Sequence, residues 1–216
     1  MEQVIKIGRE EWWKNRLDRL ADFHSFGLGY KLLCCPWKTV GSASYAFIST
    51  NPGAATPIDA ALKCTSEERG NSYLLERDTT RSPITEQFIK LLELLDINPK
   101  QILTGFAHPF RSGAWDDFNK EQKEIGLKLG IDFWRAALAE GNIKKVIISG
   151  TNLSENFAKH FDAKIEMKIP SGWNPTYLTK YVATNDTEII VLPHLSRFKL
   201  FSRTQCYEPL RQIFGL

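Results

Sequence analysis

Two short stretches carry the side chains with the most chemistry to offer. In "STNPG", Asn51 ends a run of apolar and β-forming residues and is followed by Pro52 and Gly53. An amide cannot hold a proton near neutral pH, so it orients a reactant by hydrogen bonding and does not deprotonate it. Pro52 fixes the turn, and Gly53 lets another group approach the backbone. In "LPHLSRFKLFSR", an imidazole (His194), a hydroxyl (Ser196), three cations (Arg197, Lys199, Arg203) and an aromatic ring (Phe198) share one loop. That combination suits a grip on a phosphodiester backbone with something apolar to insert.

Other chemistries lack their parts. There is no G-x-G-x-x-G, no G-x-x-x-x-G-K-[ST], no G-x-S-x-G and no His/Cys/Asp/Glu cluster at metal spacing. No cofactor and no metal are therefore expected. His24 and His160 read as structural. Cys34, Cys35, Cys64 and Cys206 form neither a disulfide framework nor a C-x-x-C pair, and the adjacent Cys34 and Cys35 read as a reduced, buried pair.

The elements that must aim these loops follow from periodicity. Apolar faces at 3.6-residue spacing predict helices over about Arg9–Leu20, from Pro83 through "ITEQFIKLLELLDI", over Asn119–Ala139, over "LSENFAKHF" with Thr151 or Asn152 as its cap, and over Thr204–Phe214. Apolar runs predict strands at Tyr45–Ser49, Gln101–Ala107, "KKVIISG" and Glu188–Pro193, with a short extra strand near Lys164–Ile169. Asn51–Ser82 reads as a long irregular stretch lining the pocket. Strands alternating with helices predict an α/β fold with a parallel sheet covered on both faces. Ligands then sit beyond the carboxyl ends of the strands, where the loops read "TNPGAATP", "HPFRSG", "GTNLS" and "PHLSRFKLFSR".

The totals fit that picture. A chain of 216 residues, 43% hydrophobic and 25% charged, can bury a full core as one domain, residues 1–216, with 1–44 as an N-terminal extension packed on it. Net charge is only +3, but from Lys144 onward ten Lys and Arg stand against six Asp and Glu, a loose positive face. No apolar stretch approaches a membrane span and no signal core opens the chain, so a cytoplasmic protein is expected, without a membrane partner.

With these residues in view, the chain resembles the uracil-DNA glycosylase superfamily. "FISTNPG" is similar to its first motif and "LPHLSRF" to its second, a His-Pro-Ser type loop, with Leu195 and Arg197 standing where that pattern has prolines. "GNSYLLERDTTRSPITEQFIKLLELLDI", "TGFAHPFRSG" and "VIISG" resemble segments between them, so the resemblance runs from about Tyr45 to Arg203. It implies a three-layer α/β/α sandwich around a four-stranded parallel sheet of order 2-1-3-4. It also implies a monofunctional DNA glycosylase: hydrolysis of the N-glycosidic bond of an extruded base, leaving an abasic site.

In that reading Asn51 orients the attacking water and His194 donates a hydrogen bond to the departing base. Asn in the first motif with His in the second most resembles the single-strand-selective branch. Gly53, Tyr73, Gly105, Phe106, His108 and Arg111 would form the base pocket, with Tyr73 stacking on the base. Ser196, Arg197, Phe198, Lys199 and Arg203 would hold DNA. Gly105 stands where uracil-reading members place an Asn; the room it leaves implies a bulkier modified base or relaxed selection, with His108 and Arg111 as substitute contacts. The partner is DNA, single- or double-stranded; the protein is expected as a monomer, cytoplasmic, at the nucleoid of a bacterial-type cell. Two other readings share these residues, a non-catalytic DNA-binding module and a nucleoside or nucleotide N-glycoside hydrolase.

Overall fold

The structure, a computed structural model, describes residues 8–54, 63–79 and 82–216. The chain is α/β, built on a mixed six-stranded sheet with helices against both faces. Four strands are mutually parallel: β1 (Tyr45–Ser49), β2 (Ile102–Phe106), β3 (Lys145–Ser149) and β6 (Glu188–Leu192). A hairpin, β4 (Lys164–Pro170) and β5 (Tyr177–Val182), extends the sheet from β6 with both of its pairings antiparallel. The order is β2-β1-β3-β6-β5-β4.

The expected four-stranded parallel sheet is thus corrected to a six-stranded mixed one. The added hairpin was half seen, as a short strand near Lys164–Ile169. Its partner β5 hid because Lys180 interrupts the apolar pattern. Lys180 is tolerated there because Glu166 (2.8 Å) and Glu188 (2.5 Å), on the two flanking strands, pair with it.

Each parallel strand is apolar along nearly its whole length because both faces are covered. Ala46, Ile48, Leu103, Val146, Ile148 and Val191 point to one core, shared with Trp13 and Leu17 of α1 (Glu10–Phe23) and Phe133 and Trp134 of α4 (Lys120–Glu140). Phe47, Ile102, Ile147, Ile190 and Leu192 point to the other. There they meet Phe88 and Leu91 of α3 (Pro83–Leu95) and Leu210 and Ile213 of α6 (Thr204–Phe214). A short α2 (Ser72–Glu76) precedes α3, and α5 (Ser154–His160) follows β3. The cap expected at Thr151 or Asn152 is displaced: a 3-10 turn, Thr151–Leu153, intervenes and leaves Leu153 at the cap position.

The two edges of the sheet are protected differently. β4 carries Lys164, Glu166 and Lys168 on an exposed strand, charges that discourage edge-to-edge pairing. The free edge of β2 is covered by the segment before β1. Cys34 N donates to Thr104 O (2.8 Å), Phe106 N to Leu32 O (3.1 Å) and Lys31 N to Pro109 O (2.8 Å). Such close approach is why residue 105 is glycine, since a Cβ there would stand 2.5 Å from Leu32 O. Among the described residues no helix is long and apolar enough to cross a membrane.

Candidate functional site

The carboxyl ends of the parallel strands deliver four loops to one side of the sheet, and hydrogen bonds tie them in pairs. After β1 and β2, Ala107 N donates to Ser49 O (2.8 Å), His108 N to Thr50 O (2.9 Å) and Ser112 N to Pro52 O (3.3 Å). Arg111 Nη1 adds a bond to Gly53 O (3.2 Å). After β3 and β6, Gly150 N donates to Leu192 O (2.9 Å), and Leu195 N to the buried Ser149 Oγ (3.0 Å). Leu195 is wholly buried, worth about 2 kcal/mol for an aliphatic side chain, and this anchors the loop beside His194.

The two halves meet at Gly150. Its φ is +133°, and a Cβ there would stand 2.7 Å from Thr50 Oγ1, 3.1 Å from Asn152 Oδ1 and 3.7 Å from His194 Cδ2. A side chain at 150 would therefore press on Thr50, next to Asn51, and reach His194 only at ordinary contact distance. Glycine is needed here twice over, for its conformation and for the space.

The orientation of the Asn51 amide is fixed by its partners. Nδ2 donates to Pro52 O (3.0 Å) and to Ser112 Oγ (2.9 Å). Pro52 O can only accept, so the nitrogen must face it and the flip is settled. Both N–H groups are then used, and among the described residues Oδ1 accepts no hydrogen bond. What Asn51 has left to offer is an acceptor, the group that would take a proton-bearing edge of a water.

His194 is half-buried, and desolvation alone holds its pKa below the ordinary 6.5. It is therefore neutral at neutral pH. Its Nδ1 lies 2.7 Å from Ser196 Oγ, a bond in which either atom can donate. If the hydroxyl donates, Nε2 carries the ring proton and is a neutral donor. The loop itself is a tight turn, with Arg197 N (3.0 Å) and Phe198 N (2.9 Å) both donating to His194 O. Arg197, Lys199 and Arg203 are exposed. Phe198 is half-buried against Trp173, their ring centroids 5.7 Å apart.

Of the residues expected to line a base pocket, Gly53 and Arg111 lie beside Asn51. Gly53 is exposed, and a Cβ there would meet nothing within 4 Å. The remaining four need correction. Gly105 leaves no room, because Leu32, Leu33 and Trp134 fill the space its side chain would take. Phe106 is 9% exposed and packs into the core on the α3 and α6 side. Tyr73 is 5% exposed, its ring against Phe47 and Phe88 and its hydroxyl bonded to Ser49 Oγ (3.1 Å), a core residue and not an open stacking face.

His108 is fully buried among Phe26, Phe110, Trp115 and Phe118, with Nε2 on Gln122 O (3.1 Å) and its ring seated over Gly126. Burial pushes its pKa down to about 4. Of the stretch Asn51–Ser82, expected to line the pocket, 55–62 and 80–81 lie outside the described residues.

Several contributors were not foreseen. Ser49 and Ser149 are register partners at the ends of neighbouring strands, and both are buried. Polar residues closing the apolar runs "FIS" and "IIS" were the available signal. Ser112 and Gly150 had none, since their roles depend on contacts made across the sheet. Desolvation raises the buried thiols, Cys34 to about 12, which keeps them protonated near neutral pH. Among the described residues no group of His, Cys, Asp and Glu could hold a metal ion. No protein-family profile matches the chain, and no curated protein matches it in sequence.

Chemically, the site brings together a hydrogen-bond acceptor of fixed orientation, a neutral imidazole and three exposed cations. Such a set can position a water, donate to a leaving oxygen and attract an anion.

Proposed function

We propose that the chain is a monofunctional DNA glycosylase similar to the uracil-DNA glycosylase superfamily, hydrolysing the N-glycosidic bond of a base held outside the stack. One observation carries this reading: Asn51, with only its Oδ1 unspent among the described residues, and the neutral His194 come from two loops that converge on Gly150. Cleavage of this bond passes through a cationic sugar with the base leaving as an anion, so the task is mainly electrostatic. Asn51 Oδ1 accepts a hydrogen bond from the water and holds it for the electrophilic sugar carbon. No strong base is needed for so reactive a centre. His194 Nε2–H, set by the Ser196 hydroxyl on Nδ1, donates to the oxygen of the departing base.

The proton balance closes through the water, which adds its hydroxyl to the sugar and gives its proton to solvent or the base anion. Arg197, Lys199 and Arg203 favour a polyanionic substrate over a free nucleoside, since three exposed cations exceed what a small neutral ligand needs. Leu32 O fills the space at Gly105, which removes the support for a bulkier base there and favours a uracil-like one. The test separates binding from turnover. Asn51→Ala should lose cleavage while keeping DNA affinity within about twofold, a site-specific loss of positioning; loss of both together would remove Asn51 from its assigned role.

A further inference from the structure

The loop of the β4–β5 hairpin, Ser171–Thr176, has no part in the reading above. It lies at the same end of the sheet as Asn51 and His194, because β5 runs antiparallel to β6. Its shape is fixed from within. Ser171 N donates to Thr176 O (3.0 Å), Thr176 N to Trp173 O (2.8 Å) and Trp173 N to Ser171 Oγ (3.0 Å). Gly172, at φ +81°, packs so closely on Gln205 O at the start of α6 that no side chain fits there.

What this loop presents is Trp173. Its ring meets Phe198 edge to face (5.7 Å, 86°), and the Arg203 guanidinium carbon lies 4.2 Å from the ring centroid. Phe198 is in turn one hydrogen-bonded turn from His194. A chain of contacts therefore leads from His194 outward, by the backbone bond to Phe198 and the edge-to-face meeting with Trp173, to an exposed guanidinium. Among the described residues, none of Arg197, Lys199 and Arg203 is paired with a carboxylate, whereas Lys145 and Lys180 on the strands are. A guanidinium held 4.2 Å over an indole has less freedom left to lose on binding, and guanidinium planes stack on unpaired bases.

The geometry points to a second nucleobase site: the Trp173–Arg203 stack takes an unpaired base neighbouring the one at Asn51 and His194, and so selects single-stranded over duplex DNA. A duplex has its base faces already stacked and offers this plate only phosphates. The inference takes DNA as the ligand from the proposed function, but it concerns strand form and not bond cleavage.

The experiment is fluorescence anisotropy with a short labelled single strand and the matching duplex, neither carrying a base that is excised. Trp173→Ala should weaken single-strand binding about tenfold, the scale of one lost base stack, and leave duplex binding unchanged. Arg203→Lys, which keeps the charge and loses the plane, should weaken the single strand similarly without altering the salt dependence. Trp173→Phe should recover most of the affinity. Equal losses on both strand forms, or no loss on either, would overturn the inference. Should Trp173→Ala unfold the hairpin, Arg203→Lys decides alone, because that side chain is exposed. Failure of the glycosylase reading looks different: no abasic sites from any strand, whatever these affinities are.

Discussion

His108 sets an acid limit on the fold, and the size of that limit follows from its burial. In the unfolded chain its imidazole titrates near 6.5; folded, among four aromatic rings, it titrates at about 4. The folded state resists the proton that the unfolded state accepts, so stability is full above pH 6.5 and is lost as pH falls toward 4. At about 1.4 kcal/mol per pH unit, the loss is about 3 kcal/mol, a large share of the ~5–15 kcal/mol typical of a domain. The carboxylates held low by their cationic partners, such as Asp18 and Glu188, act in the same direction but only below about pH 4.5. His194 shares the upper window with a smaller effect, its burial being partial.

The perturbation is therefore His108→Phe, which keeps an aromatic ring and removes the titration. Urea unfolding of both proteins at steps from pH 7 to pH 4.5 gives the slope for each. The variant sits lower throughout, having lost the bond to Gln122 O, but its slope should be shallower than the parent's by up to ~1.4 kcal/mol per pH unit. Equal slopes would refute the assignment and return His108 to an accessible, solvated position.

Three further outcomes follow from the geometry. Gly105→Ala places a Cβ against Leu32 O and should cost about 1–3 kcal/mol, seen as a lower midpoint of thermal unfolding; an unchanged midpoint would mean the N-terminal segment does not cover β2 as described. Ser196→Ala frees His194 Nδ1 and should slow base release roughly fivefold, the worth of about one hydrogen bond, with Ser196→Thr restoring it; a full rate in the alanine variant would show that the tautomer is set elsewhere. Lys199→Ala should weaken DNA binding alike for all sequences and flatten its salt dependence by roughly one phosphate contact, whereas unaltered affinity would take this loop out of the interface.

Which features were legible in the sequence depended on how far apart the partners lie. The four apolar strands and the amphipathic helices show in local periodicity, and Tyr45–Ser49 was read to its observed ends. The strand-end loops followed, because α/β topology gathers them on one side. Distant contacts were not legible. Gly105 read as open space because Leu32, which fills it, comes from far earlier in the chain. His108 read as a pocket residue because a polar side chain after a strand is usually solvated; its burial depends on Phe26 from the N-terminal segment and Phe118 ahead of α4. The link from Ser149 to Leu195, which holds the His194 loop, spans 46 positions.

The most direct test of the central claim is release of a base. Purified protein, with Asn51→Ala beside it, would meet labelled single strands and duplexes carrying uracil, thymine mismatches, hypoxanthine or 5-substituted cytosines. Alkaline cleavage would then report abasic sites. Cleavage at uracil, faster on single strands and absent in Asn51→Ala, is the predicted result. Intact strands across the whole panel, or cleavage that survives in Asn51→Ala, would contradict the account.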